Sequence, residues 1–129
     1  MHGTIMPFLQ SNLLPEQITG KRLLEIGSLN VNGSPREYVL QHSPSFYLGM
    51  DECTGSGVDL KFSGDQLYTL FAPNSFDIVL CLEVLEHAKN WKQLINQIKY
   101  ILISGGQLIL TCRGLRCQYH GDLGAGYND

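Results

Sequence analysis

The sequence has little charge and no cluster of positive charge. Only 9 of its 129 residues are Lys or Arg, against 12 Asp or Glu, which gives a net charge of −3. Because nucleic-acid binding depends on basic side chains gathered on one surface, this scatter disfavours a nucleic-acid partner. The N-terminal segment MHGTIMPFLQ lacks the features of a signal peptide, and no apolar run is long enough to cross a bilayer. These absences predict a cytoplasmic protein without membrane insertion.

The cysteines lack the spacing of a metal site. Cys112 and Cys117 lie too far apart for a CxxC pair, and no second pair accompanies them, so we predict that no metal is bound. Cys81 and Cys112 stand inside apolar runs, which is typical of small buried hydrophobic residues. Disorder is disfavoured too, because 43% of the residues are hydrophobic and only 16% are charged.

The chain does contain an alternation of short apolar strands and helices. The strand candidates are 22–27, 45–51, 58–62, 76–82 and 107–112, and helices are expected after Ser34, over 64–72 and over 91–103. Gly105-Gly106 is expected to end the last helix. Trp91 is expected to face the core together with an apolar stripe at helical spacing, formed by Leu94, Ile95, Ile98, Ile101 and Leu102. Strands that are apolar on both faces indicate a parallel sheet covered by helices. We therefore predict a Rossmann-like, doubly wound, mostly parallel α/β domain over 21–129, after an N-terminal lead-in over 1–20.

Acidic residues recur where the predicted strands end. They are Glu25 in the first strand, Asp51 at the end of the second, Asp65 after the third and Glu83 after the fourth. In open parallel sheets, ligands bind beyond the carboxyl ends of the strands. Asp51 lies 24 residues after Gly27, near the ~20 expected of an acid that binds ribose hydroxyls. The pattern indicates a cofactor that contains a nucleoside.

The loop GSLNVNG over 27–33 departs from a dinucleotide fingerprint. A G-x-G-x-x-G match starting at Gly27 needs glycine at 29 and 32, where the sequence has Leu29 and Asn32. The second glycine lets a pyrophosphate approach the backbone, so Leu29 disfavours NAD and suits a cofactor without phosphates. A nucleotide-dependent oxidoreductase is therefore kept only as a weaker alternative.

Five segments together carry a family resemblance. They are LLEIGSLNVNGSPR, FYLGMDECTGSGVDL, Asp65-Gln66, NSFDIVLCLEVLEH and ISGGQLIL. Over about residues 21–112, the sequence resembles the class I S-adenosylmethionine-dependent methyltransferases, especially the methyltransferase-11-type domain. The resemblance implies S-adenosylmethionine as cofactor, S-adenosylhomocysteine as product, and a small-molecule, glycan or lipid-precursor acceptor. Full members of this family complete the sheet with a C-terminal antiparallel hairpin. We expect this sequence to lack that hairpin, and we expect a homodimer or a partner chain to cover the open edge.

The resemblance further implies roles for single residues. The cofactor-binding set would be Glu25, Gly27, Ser28, Asp51, Glu52, Asp65, Gln66 and Leu82. In this set Glu25 and the Leu82 carbonyl would hold the methionine amino group. The carboxylate of Asp51 would hold the ribose, with Glu52 as a lesser candidate, and Asp65 with Gln66 would bind adenine. A general base is needed only for a weakly acidic acceptor, and its candidates are Glu83, Glu86, His87 and His120. The alternative is a non-catalytic chain, either a cofactor-binding remnant or a partner subunit.

Overall fold

The computed structural model describes residues 3–62 and 66–112 as ten helices and strands and one additional turn of helix. In chain order they are α1 (Ile5–Asn12), α2 (Pro15–Ile18), β1 (Arg22–Ile26), α3 (Arg36–Leu40), β2 (Phe46–Asp51), β3 (Leu60–Lys61), α4 (Leu67–Leu70), β4 (Phe76–Leu82), α5 (Trp91–Ile101) and β5 (Leu102–Thr111). A single 3-10 turn spans Leu85–His87, between β4 and α5.

The five strands form one parallel sheet with the order β3-β2-β1-β4-β5. The chain runs outward from β1 to β3 and then returns to the other side of β1 with β4. The strand order therefore reverses between β1 and β4, which confirms the predicted doubly wound architecture. The predicted absence of a C-terminal hairpin concerns residues 113–129, which lie outside the described residues.

Helices cover both faces of the sheet, as the apolar strands require. On one face, α1, α2 and α3 enclose a core with Leu23 of β1 and Leu80 of β4. On the other face, α4 and α5 enclose a second core with Leu24 and Val79. Adjacent residues of one strand thus feed opposite cores, because successive side chains of a strand point to opposite faces. The predicted lead-in contributes fully buried side chains to the first core, namely Leu9, Leu13 and Ile18.

The central strand β4 and helix α5 follow their sequence patterns closely. Every residue of β4 except Asp77 is buried. Asp77 accepts hydrogen bonds from the backbone and the guanidinium of Arg22, which holds the pKa of its carboxyl below the usual value. The N-terminus of α5 is capped by Asn90, whose side chain accepts from the Gln93 amide at 3.0 Å.

Three predictions about α5 and β5 are wrong. Helix α5 ends at Ile101, before Gly105-Gly106, because the following apolar residues pair with β4 from Leu102 onward. The glycines instead lie where the β4–β5 register shifts, and Gly105 adopts a φ of +80° there. Trp91 is 44% exposed, since burial of the α5 stripe begins one turn later, at Leu94. Cys112 is exposed because it follows the last residue of β5.

Candidate functional site

Gly27 makes the turn that opens the site. It follows β1 with a φ of +76°, and its amide donates to the carbonyl of Met50 at 2.7 Å. A Cβ at this position would lie 2.3 Å from the Val84 side chain, so only glycine fits. Since Val84 follows β4, the contact joins the two strand ends between which the strand order reverses. This is the position at which open parallel sheets bind their ligands.

Asp51, at the end of β2, holds the adjacent loops with both oxygens of its carboxylate. Oδ2 accepts from the amide of Leu29 at 3.0 Å, and Oδ1 accepts from the amide of Cys53 at 3.0 Å. A carboxylate offers about four acceptor positions, so each oxygen keeps one for another donor. Two acceptor positions on one half-buried side chain fit the paired hydroxyls of a ribose.

A groove begins beside Asp51 and contains two of the predicted cofactor residues. It has a volume of about 440 Å³ and is lined by Glu52, Lys61, Phe62 and Gln66. The carboxylate of Glu52 and the amide of Gln66 suit the polar edges of a flat heterocycle, and Phe62, which is 5% exposed, joins the groove to the core beneath it. Sequence reasoning predicted Glu52 and Gln66 but missed Lys61 and Phe62, whose only signal was their place at the end of the third strand. Asp65, the remaining residue of the predicted adenine pocket, lies outside the described residues.

A larger groove of about 800 Å³ lies beside α3 and contains none of the predicted cofactor residues. Its lining residues are Asn30, Gly33, Ser34, Arg36, Glu37, Leu40, Gln41, Ser56 and Gly57. The larger of these two grooves is therefore not the one that the sequence pattern indicates for the cofactor.

Glu25 is a buried acid inside β1, and the residue is 3% exposed. The hydroxyl of Tyr47 donates a hydrogen bond to Oε1 of Glu25. Burial raises the pKa of Glu25 to about 7, against the opposing effects of the Tyr47 hydrogen bond and of the positive charge on Arg36. Ser28, another predicted cofactor residue, is fully buried, and its Oγ has no hydrogen-bond partner among the described residues.

The segment after β4 holds the other candidates. Glu83 adopts a φ of +57°, a left-handed conformation that costs free energy in a residue other than glycine. Its amide donates to the Thr111 carbonyl at 2.8 Å and to the Thr111 hydroxyl at 3.1 Å, and these bonds hold that conformation at the end of β5. Strained backbone of this kind is frequent at functional sites. The buried Glu86 and the half-buried His87 lie in the next turn, whereas His120 lies outside the described residues.

Two negative observations apply to residues 3–62 and 66–112 alone. Within these ranges, no three His, Cys, Asp or Glu side chains come together as metal ligands would. The same ranges contain no helix with the length and hydropathy needed to span a membrane. Cys81 is fully buried, and burial raises the pKa of its thiol to about 12, so this thiol serves as a small apolar residue.

The sequence model of a known family matches the chain from α3 into β5, which includes β2 and β4 but not β1 or the Gly27 turn. The model of the methyltransferase domain family, Methyltransf_11, matches residues 36–110, more than half of the chain. The chain therefore belongs to the methyltransferase domain family. A curated relative, the uncharacterised protein MJ0638 of Methanocaldococcus jannaschii, is 42% identical over 51 residues. That match covers 40% of this chain and 22% of the relative.

Solved structures share the fold at low sequence identity. An S-adenosylmethionine-dependent methyltransferase from Mesorhizobium loti is similar with a TM-score of 0.66 and 19% identity, over 84% of this chain and 52% of that one. The 1,6-didemethyltoxoflavin-N1-methyltransferase of Burkholderia thailandensis, solved with S-adenosylhomocysteine, has a TM-score of 0.61 and 16% identity. The shared part covers 81% of this chain and 50% of that one, so this chain spans about half the length of both structures. The predicted Rossmann-like fold and the predicted membership of the methyltransferase domain family are confirmed.

Proposed function

We propose that this chain binds S-adenosylmethionine across the ends of β1, β2 and β4, and that it transfers the methyl group to a small-molecule, glycan or lipid-precursor acceptor. The observation that carries the proposal is the position of Asp51. Its carboxylate stands between the Gly27 turn and the groove of Glu52, Phe62 and Gln66, and it retains two acceptor positions. That arrangement suits an adenosine whose ribose lies at Asp51 and whose base lies in the groove.

The family resemblance and the geometry together suggest how the chain would hold the cofactor. Asp51 would accept from the ribose hydroxyls, with Glu52 beside it, and the groove of Phe62 and Gln66 would enclose the base. The remaining proposed contacts, at the methionine end, are Glu25, Gly27, Ser28 and the carbonyl of Leu82. When bound, S-adenosylmethionine supplies an electrophilic methyl group on its sulfonium.

The chemistry left to the protein is mainly orientation. A nucleophile held in line at about 3 Å, with water excluded, gains roughly 7–11 kcal/mol of barrier reduction. A base is required only for a protonated, weakly acidic acceptor such as a hydroxyl. Glu83 and His87 are the proposed candidates within the described residues, because both follow β4 beside the point where the strand order reverses.

The proposal is tested by calorimetric titration with S-adenosylhomocysteine, with NAD as the control ligand. Asp51→Asn keeps the shape of the side chain but removes the charge and replaces one acceptor by a donor. We expect binding by the wild type, no binding of NAD, and a loss of affinity of at least about tenfold in Asp51→Asn. The matched control is Glu16→Gln on the exposed first turn of α2, which should bind as the wild type does. A folded wild type that does not bind S-adenosylhomocysteine would overturn the proposal.

A second proposal is a chain that binds the cofactor without turnover. It stands beside the first because this chain spans only about half the length of the solved methyltransferases that share its fold. Transfer of labelled methyl groups to a panel of small-molecule, glycan and lipid-precursor acceptors separates the two. Cofactor binding without transfer to any of them, alone or with a cell extract as a source of partner chains, would favour the second.

Two further predictions remain proposals. Within the described residues β5 pairs only with β4, so a second copy or a partner chain at this edge of the sheet is proposed. Light scattering across a range of concentrations tests for the homodimer, and a strictly monomeric chain would contradict it. Residence in the cytoplasm is the other proposal, and fluorescence imaging of the tagged protein in its host tests it.

A further inference from the structure

A chain of polar contacts lies against the face of the sheet beneath the 27–33 loop. The Tyr47 hydroxyl donates to Glu25, and the guanidinium of Arg36 lies 5.1 Å from the centre of the Tyr47 ring. Arg36 in turn donates to both carboxylate oxygens of Asp59, at 2.9 Å each. Asp59 also accepts from the amide of Gly49 at 2.8 Å. One continuous set of contacts therefore joins β1, β2, α3 and the segment before β3.

This network reaches the backbone that shapes the proposed cofactor site. Arg36 donates to the carbonyl of Gly57 at 3.4 Å, and the Asn30 amide donates to the carbonyl of Ser56 at 2.8 Å. A Cβ at Gly57 would lie 2.7 Å from the Ser28 carbonyl, so the two loops are in direct contact. Arg36 is thus in contact with Tyr47, the partner of Glu25, and with the segment that packs against the 27–33 loop.

The charged and titratable groups that face Glu25 come from three sides. Tyr47 and Asp51 belong to β2, Arg36 belongs to α3, and Asp59 precedes β3. The Tyr47 hydrogen bond and the positive Arg36 favour the ionised carboxylate, whereas burial and the negative Asp51 and Asp59 disfavour it. Tyr47 stays protonated, because burial raises its pKa, and it is therefore a permanent hydrogen-bond donor.

We propose that Tyr47 and Arg36 are positioning residues that act on the cofactor through Glu25, by holding its carboxylate ionised and oriented toward the methionine end. The inference rests on the proposed function, since it requires that Glu25 receive the amino group of the cofactor. Neither Tyr47 nor Arg36 touches the cofactor in this arrangement. Their effect is to favour the ionised carboxylate of Glu25 in the free protein. The cationic amino group of the cofactor can then bind without first displacing a proton from Glu25.

The test is the pH dependence of S-adenosylhomocysteine affinity, measured by calorimetry from about pH 5.5 to about pH 8. In the wild type, affinity should fall as the pH falls through about 7, where Glu25 takes up a proton. Tyr47→Phe keeps the ring beneath Arg36 but loses the donor, and should move the midpoint of this dependence upward by about one pH unit. Tyr38→Phe is the matched control, because its hydroxyl also donates to one acceptor, the Leu13 carbonyl, and its midpoint should equal that of the wild type.

A purely structural role of the Tyr47 hydroxyl would lower affinity equally at every pH. A midpoint shared by the wild type and Tyr47→Phe would therefore overturn this inference but not the proposed function. Arg36→Gln provides an independent variant, expected to move the midpoint in the same direction, with Arg36→Lys restoring it because the charge returns. The carboxyl carbon resonance of Glu25, titrated in the free protein, should move by the same amounts and needs no ligand. If the folded wild type fails to bind at any pH, the proposed function fails and this inference with it.

Discussion

The two halves of the sheet, the β4 side and the β2 side of the central strand β1, differ in how deeply their strands are buried. Strand β4 is buried except at Asp77, and the helices pack their apolar residues on both of its faces. On the other side, β2 buries only Gly49 and Met50, and both residues of β3 are exposed. The β4 side provides most of the apolar burial, which is the main driving force for folding. The β2 side carries most of the polar side chains proposed for the cofactor site.

The difference also appears in the charges. Near β2, Glu25 is an acid whose pKa is raised by burial, whereas the pKa of Asp59 is held below its usual value by the Arg36 guanidinium. Such divergent acids in one small region are typical of functional sites, although structural ion pairs produce them as well. We infer that the two sides contribute separately to stability and to binding, and substitutions on each side test that separation.

The largest effect is expected from truncation in the β4 core. Leu80 is fully buried, so Leu80→Ala should lower the free energy of unfolding by about 2–5 kcal/mol. The same substitution at Leu60 in β3, which is 37% exposed, should cost about 1 kcal/mol or less. Urea denaturation followed by circular dichroism measures both. Equal losses at the two leucines would contradict the division between the two sides.

A somewhat smaller effect, of opposite sign, is expected at Glu25. Its folded-state pKa of about 7 lies above the ordinary 4.5, so its stabilising contribution is present below about pH 4.5 and is lost as the pH rises through 7. Glu25→Gln does not titrate and should therefore be more stable than the wild type at about pH 8, by on the order of 3 kcal/mol. Unfolding free energies of both proteins at several pH values test this, and a difference that does not grow with pH would refute it.

The smallest effect is expected at the cap of α5. Asn90→Ala removes the side-chain acceptor for the Gln93 amide and should cost about 1 kcal/mol of stability. Asn96→Ala, at an exposed position inside the same helix, is the matched control and should cost nothing measurable. Affinity for S-adenosylhomocysteine should stay unchanged in both variants, since neither asparagine lines the groove of Glu52 and Gln66. A loss of affinity in Asn90→Ala would show that the two sides are coupled.

The features predicted well from the sequence are those with a local signal. Three features are each visible in a short stretch of sequence: the continuous apolar run of β4, the Asn90 cap of α5 and the acid that ends β2. Gly105-Gly106 also had a local signal, but that signal was ambiguous. A glycine pair can end a helix, as was predicted, or permit a bulge in a strand, as the β4–β5 register shows. Only the pairing with β4 decides between these two outcomes.

Contacts between distant segments could not be predicted. The Tyr47–Glu25 hydrogen bond joins residues 22 positions apart, and the Arg36–Asp59 pair joins residues 23 apart. Both depend on the parallel register that places Glu25 opposite Gly49, where the absence of a side chain leaves room for the Gly57 carbonyl and the Ser28 side chain. The sequence pattern predicted Glu25 as a site residue, but it did not predict Tyr47 and Arg36, which favour the ionised form of its carboxyl.

The central claim, that the ends of β1 and β2 bind the cofactor, is tested most directly by amide chemical shifts during titration with S-adenosylhomocysteine. The amides of Leu29 and Cys53, which donate to Asp51, should shift together with that of Gln66 in the groove. The amides of Gly105 and Gly106, at the opposite end of β5, should not move. Shifts confined to another surface, or none at saturating ligand, would contradict the account.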